Sequence, residues 1–308
     1  MLGRIVEIGH DQRYLSVQRG FMVVHASGEG RGEIGHVPLD DIAAVIANAH
    51  GLSYSNNLLV ALAERGAPFV LCARNHQVAG MLWPTSGNFE QSRRMDAQLA
   101  ATRPTQKRLW AELIRGKLRQ QAAVLQALGR ADAPLLALAK RVRSGDPGNL
   151  EAQGAQRYWK LLHGPAFRRD TTADGINALL NYGYTVLRAA TARAVVAAGL
   201  HPGLGLFHRN AANPMRLVDD LMEPFRPLID FQVWQLQATG CHEVNDASKR
   251  ELVHALYADV ATAAGTSPVM VCLQQLATSL AQVYLGEIRN LTLPPILTAR
   301  LAAADHGA

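Results

Sequence analysis

The sequence predicts an α+β fold: a small N-terminal β-sheet domain over residues 1–86, followed by a larger all-α C-terminal domain over residues 87–308. Three observations carry that expectation. Short apolar or alternating runs, separated by Gly, Asp and Asn, fill the first 85 residues, as half-buried strands do. From about Phe89 onward, apolar residues instead recur at three- and four-residue spacing, the period of a helix packed on one face. Between the two patterns the turn residues Pro84, Thr85, Ser86 and Gly87 cluster, which sets the boundary near residues 84–90.

In the first domain, strands are expected over residues 4–8, 15–24, 67–71 and 78–83. One helix interrupts them. Ser55 or Asn56 caps a run through Leu58, Leu59, Leu62 and Ala63, and Gly66 follows as the stop. In the second domain, Arg103, Lys107, Arg108, Arg115, Lys117 and Arg119 surround Leu109, Trp110, Leu113, Ile114 and Leu118, the spacing of an amphipathic helix with a basic outer face. Trp110 reads as core, with a base-stacking platform as the alternative. The turn Ser144-Gly145-Asp146-Pro147-Gly148 then resets the chain. Asn149 is expected to cap the next helix, with Glu151 in its first turn, where a carboxylate also complements the helix dipole. Residues 302–308 read as a frayed end.

Composition narrows the function classes. The hydrophobic share of 48% and charged share of 18% exclude a disordered or fibrous chain, leaving a folded, soluble protein. Arg4 and Glu7 stand where a signal peptide needs an apolar core, so a cytoplasmic protein is expected. The most apolar long segment, residues 189–200, is broken by Arg193, and no membrane span is expected. Cys72, Cys241 and Cys272 lie far apart, an arrangement of buried, inert thiols that offers neither a disulfide framework nor a zinc site. Net charge is +6, but residues 93–169 hold 16 Lys/Arg against 5 Asp/Glu, while the rest holds 15 against 20. Clustered cations reward a polyanion through counterion release, and a solvated helical face is the bland alternative. No Gly-rich phosphate loop, nucleophile elbow or Walker pattern is present, which disfavours small-molecule enzymology.

Three segments carry candidate chemistry: Glu151 in the helix after the turn, His208 in the Gly-flanked loop Gly205-Leu206-Phe207-His208-Arg209-Asn210, and Asp220 with Glu223 three residues apart on one helical face. Two like charges on one face repel, a cost relieved by a neighbouring cation or by solvent. One imidazole with two or three carboxylates is an oxygen-rich set suited to Mg²⁺ or Mn²⁺ rather than to structural zinc. A hard metal there would act on phosphates, which fits the basic segment.

Together these segments resemble the CRISPR-associated endonuclease and integrase family of spacer acquisition, the universal Cas-one family, in its type II-like form. The matching words are Asn149-Leu150-Glu151-Ala152 with Tyr158-Trp159, then the Gly205 to Asn210 loop, then Asp220-Leu221-Met222-Glu223-Pro224-Phe225-Arg226-Pro227 through Asp230. The strand-rich start, the Leu82-Trp83-Pro84 exit and the helical remainder are also similar to that family. The resemblance implies Mg²⁺ or Mn²⁺ held by the catalytic residues Glu151, His208 and Glu223, with Asp220 as a supporting or alternative ligand. Asp219, four residues before Glu223, competes with Asp220 for that place. His208 is expected to be a ligand, with general acid or base catalysis as its alternative role.

The implied reaction is transesterification. The 3′-hydroxyl of a DNA fragment attacks a phosphodiester at a repeat border and displaces the old 3′-end. Implied partners are double-stranded DNA as fragment and repeat array, a second copy of the chain through the β domain, a small dimeric CRISPR-associated adaptation protein, and the type II effector nuclease. Arg93, Arg94, Lys107, Arg108, Arg115, Arg157, Arg209 and Arg226 are the candidate DNA-binding cations, with Arg226 equally able to pair with Glu223 or Asp230. The competing readings are a metal-dependent nuclease of branched or single-stranded nucleic acid and a non-catalytic DNA-binding scaffold.

Overall fold

A computed structural model describes residues 4–26, 32–73, 78–82, 84, 90–262 and 265–297. The chain divides into two units, Met1–Gln91 and Ser92–Ala308.

The first unit contains β1 (Arg4–Ile8), β2 (Arg13–Gln18), β3 (Phe21–Ala26), β4 (Glu33–Pro38), β5 (Ile42–Ala47), β6 (Ser53–Tyr54), α1 (Asn56–Glu64), β7 (Phe69–Cys72) and β8 (Val78–Leu82). They form two four-stranded sheets, ordered β1-β5-β7-β8 and β4-β3-β2-β6. The expected strand over 15–24 is two strands. Arg19 and Gly20, with φ of 48° and 84°, form the two-residue turn between them, the left-handed pair that suits the twist of a hairpin. β4, β5 and β6 were not expected. Every residue of β5 is buried, because it runs parallel between β1 and β7, and such a strand is apolar throughout and lacks alternation. Ser55 supplies the cap of α1, its hydroxyl accepting from the Leu58 N–H at 3.3 Å. Leu58 and Leu62, one turn apart, bury that helix on Leu15, Met22 and Phe69. Trp83 and residues 85–89, which include most of the expected boundary, lie outside the described residues.

The second unit contains α2 (Gln91–Leu99), α3 (Arg103–Ala127), α4 (Ala133–Arg141), α5 (Leu150–His163), α6 (Ile176–Ala197), α7 (Arg216–Leu221), a 3-10 turn (Glu223–Phe225), α8 (Arg226–Ala238), α9 (Asp246–His254) and α10 (Val269–Tyr284). Between α9 and α10 lies a hairpin of β9 (Asp259–Thr262) and β10 (Gly265–Pro268), a departure from an all-α reading. None of the described helices is long and apolar enough to cross a membrane. Cys272 is buried, whereas Cys72 and Cys241 are only half-buried, and all three are free thiols. Residues 302–308 lie outside the described residues.

Two packing details position the site. Gly154 of α5 faces Leu118 of α3 so closely that a Cβ would sit 2.3 Å from Leu118 Cδ2, so the absent side chain is what brings the first turn of α5 against α3. That first turn carries Glu151. Asn149 does not cap it. Asn149 has a φ of 49° and its side chain makes no capping bond, while the Asp146 carboxylate accepts from the Leu150 and Glu151 N–H groups at 3.0 and 2.9 Å. The left-handed backbone that Asn tolerates takes its side chain away from the helix end, and Asp146 satisfies the orphan donors instead.

Candidate metal centre and nucleic-acid interface

α3 places Lys117 on its buried stripe, one turn after Leu113 and Ile114 and one turn before Gln121. The expected place for Lys117 was the basic outer face, yet the residue is only 7% exposed. Its Nζ lies 2.5 Å from Glu151 Oε1 and 2.6 Å from Glu223 Oε2. Burial works to lower its pKa, and Glu223 and Glu151 outweigh that and raise it. Burial likewise pushes the Glu223 carboxyl up, but Arg226 and Lys117 outweigh the push and hold it below its ordinary value. Arg226 Nε lies 3.0 Å from Glu223 Oε1 and its guanidinium stacks over the Tyr184 ring at 4.7 Å. Glu223 is therefore pinned between two cations.

The other half of the site is the loop before α7. Asp220 is completely buried, and its carboxylate accepts from the N–H groups of Leu206, Phe207 and His208 at 2.6, 3.1 and 3.3 Å. His208 Nδ1 lies 2.6 Å from Asp220 Oδ1, and that bond raises the imidazole pKa. Gly205 permits this wrapping, since a Cβ there would come 2.8 Å from Arg216 Cβ and 2.9 Å from Asp220 Oδ2. Asp220 and Glu223 do not confront each other across a bare helical face. The helix ends at Leu221 and Glu223 opens a 3-10 turn, so each acid has its own set of donors. Asp219 belongs to neither half. It pairs with Arg188 at 2.7 and 2.9 Å and with Asn213 at 2.7 Å.

Glu151 and Glu223 thus converge on one position already held by a cation, the Lys117 ammonium. His208 lies close enough to Glu223 for each to shift the other's pKa. Its Nδ1 is committed to Asp220, which leaves Nε2 as the ring nitrogen able to meet a metal, and a carboxylate partner of this kind is what fixes the tautomer when a histidine does ligate one. Among the described residues no three His, Cys, Asp or Glu groups stand together as a closed ligand cluster. Lys117 occupies the position between the two acids. The donor set fits a hard divalent cation, because two acids drawn to a common positive charge and an oriented imidazole are the chemistry such a cation requires.

The candidate DNA-binding cations differ in their commitments. Arg108 donates to Glu112 at 2.7 Å and to the Arg289 carbonyl, Arg115 donates twice to the Val142 carbonyl, and Arg94 donates to the Ala198 carbonyl. These three brace the helices. Arg93, Lys107, Arg157 and Arg209 are exposed. Arg226 takes the bland alternative and pairs with Glu223. Asp230, buried and bonded by the Tyr184 hydroxyl, has its carboxyl pushed up to about 7 by burial. Trp110 is 2% exposed, as core, but it also stacks on Phe207 at 4.3 Å with parallel rings.

The model of the family described as CRISPR associated protein Cas1 matches residues 7–259. The chain belongs to the Cas1 family. It is 36% identical, over 288 residues, to the CRISPR-associated endonuclease Cas1 of Neisseria meningitidis serogroup C (strain 8013), covering 92% of this chain and 93% of that protein. Among solved structures this Cas1-family chain is similar to a casposase bound to integration product, with a TM-score of 0.82 at 18% identity over 98% of this chain and 99% of that one. It is also similar to a chain of a Cas6-RT-Cas1–Cas2 complex, with a TM-score of 0.74 at 15% identity, over 92% of this chain and 35% of that one. At such identities the two structures establish a shared fold.

Proposed function

We propose that this Cas1-family chain is a metal-dependent DNA endonuclease and integrase that inserts short DNA fragments into a CRISPR array. The observation that carries the reading is the convergence of Glu151 and Glu223 on one cationic position beside an imidazole oriented by Asp220. The endonuclease name of the Neisseria relative supports it.

Glu151, Glu223 and His208 through Nε2 would hold Mg²⁺ or Mn²⁺. Bound there, the ion supplies Lewis-acid polarisation of a phosphoryl oxygen and acidifies the attacking hydroxyl. The chain's own residues prepare the site. Asp220 holds the Nδ1 proton and fixes the ring plane of His208. Arg226 braces Glu223 from its Oε1 side, and Lys117 aims both carboxylates at one point. Exposed Arg209 and Lys107 seat phosphates by charge, positioning DNA without reading its sequence. In the reaction a fragment's 3′-oxygen forms a new bond to phosphorus, the bond to the old 3′-oxygen breaks, and that oxygen leaves with a proton.

We also assign a homodimer to the β unit, whose two sheets each end in edge strands, and a partner like the Cas2 of the similar complex.

The test incubates the protein with labelled 3′-hydroxyl DNA and a supercoiled repeat-bearing plasmid in Mn²⁺, Mg²⁺ or EDTA, with and without the small partner. Metal-dependent transfer of label into the plasmid, lost in His208→Ala, is the expected result. Shortened fragments alone under every condition would leave a nuclease, and no chemistry in any would leave a binding scaffold.

A further inference from the structure

Phe207 is 47% exposed, a large apolar ring left open directly beside His208. Single exposed hydrophobics are ordinary. This one is not loose, because one face lies parallel on the indole of Trp110, and Trp110 is itself locked into the core of α3. The Phe207 N–H is held by Asp220 at 3.1 Å, so backbone and ring are both fixed. The ring borders a groove of about 240 Å³ lined by Arg103, Lys107, Trp110, Gly145, Leu206, Phe207 and Arg209. Arg103, Lys107 and Arg209 are exposed along its rim. The indole N–H of Trp110, on the same lining, is buried and has no acceptor among the described residues.

A rigid aromatic face set among three cations fits one chemistry: a nucleobase on the ring, with the phosphates on either side of it drawn to the cations. Inside a duplex both faces of a paired base are covered by its neighbours, so the ring suits an unpaired base. We propose that Phe207, backed by Trp110, is the stacking platform for an unpaired DNA nucleotide adjoining the reacting phosphodiester, with Lys107 and Arg209 on its phosphates. This rests on the reading of the metal centre above. Phe207 is then a positioning residue: it holds the strand in register with His208, whose ring centre is 6.0 Å from its own.

The test is a binding cycle in EDTA, where no strand chemistry interferes. Wild type, Phe207→Ala and Phe207→Trp are titrated by anisotropy with a duplex carrying a short unpaired 3′-tail, with an abasic residue placed in turn at each tail position, and with the blunt duplex. Wild type is expected to lose about 10-fold in affinity at one abasic position, Phe207→Ala to lose the same amount with the intact tail and little more with the abasic one, and Phe207→Trp to regain it. The blunt duplex should bind all three proteins alike. Additive losses, or equal binding of the intact tail by wild type and Phe207→Ala, overturn the platform. Strand transfer by wild type is scored separately in Mn²⁺, so a protein that stacks bases but joins no DNA refutes the integrase reading and spares this one.

Discussion

Asp220 and Glu223 are both acids, three residues apart and both buried, yet they are satisfied in opposite ways. Asp220 takes three backbone N–H groups and the imidazole of His208. Glu223 is paired with two side-chain cations, Lys117 and Arg226. Backbone donors cannot be exchanged for a metal without unfolding the loop that supplies them, whereas a lysine ammonium on a flexible stem can give way. One acid therefore organises the site and the other is free to serve it.

The largest expected effect falls on chemistry. Glu223→Gln should cost strand transfer on the order of 100-fold or more while the protein stays folded, because it removes a proposed ligand from the metal. Strand transfer and urea unfolding measured side by side break the contrast if this variant unfolds as readily as one at Asp220. Asp220→Ala comes next. It strands three N–H groups, one buried and two partly buried, so a loss of about 3 kcal/mol in urea unfolding is expected, together with lost activity.

Lys117→Met sharpens the contrast. Without the ammonium the two carboxylates face each other, and the metal-free protein should lose about 1–3 kcal/mol. Added Mn²⁺ should then raise Tm more in the variant than in wild type, since ligand binding to the folded state stabilises it. A smaller rise in the variant would mean that the lysine is not a placeholder for the ion.

A pH dependence at Asp230 leaves the chemistry of the site aside and reads on stability alone. Burial raises its folded pKa to about 7 from an ordinary 3.8. The folded chain thus holds a proton that the unfolded chain releases, so this contribution to stability is full below the lower value and fades as pH rises through the higher one. Wild type should lose Tm relative to Asp230→Asn across that window, and a constant difference between pH 4 and 8 would contradict it.

Periodicity in the sequence was enough to reveal the β start and the helical remainder, while local motifs and the family resemblance singled out the segments that carry Glu151, His208 and Glu223. Local chemistry was enough to narrow the α1 cap to Ser55 or Asn56, of which the structure chose Ser55, and to mark the Gly66 stop. Three kinds of fact escaped it. β5 was hidden because a strand buried on both faces has no alternation to detect. The role of Asp146 was hidden because the cap depends on a left-handed turn at Asn149, a backbone choice that residue type permits without dictating. Lys117 was assigned to the outer face by its charge, although its spacing from Leu113, Ile114 and Gln121 puts it on the buried stripe. Charge was the wrong guide there.

What the sequence by itself determined was the set of groups able to do chemistry and the elements that carry them. Only the tertiary structure decided their partners: that Lys117 of α3 stands between Glu151 and Glu223, that Asp220 rather than Asp219 holds His208, and that Trp110 backs Phe207. The physical reason is that an acid's role depends on the charges within a few ångströms of it, and those neighbours come from helices far apart in the chain.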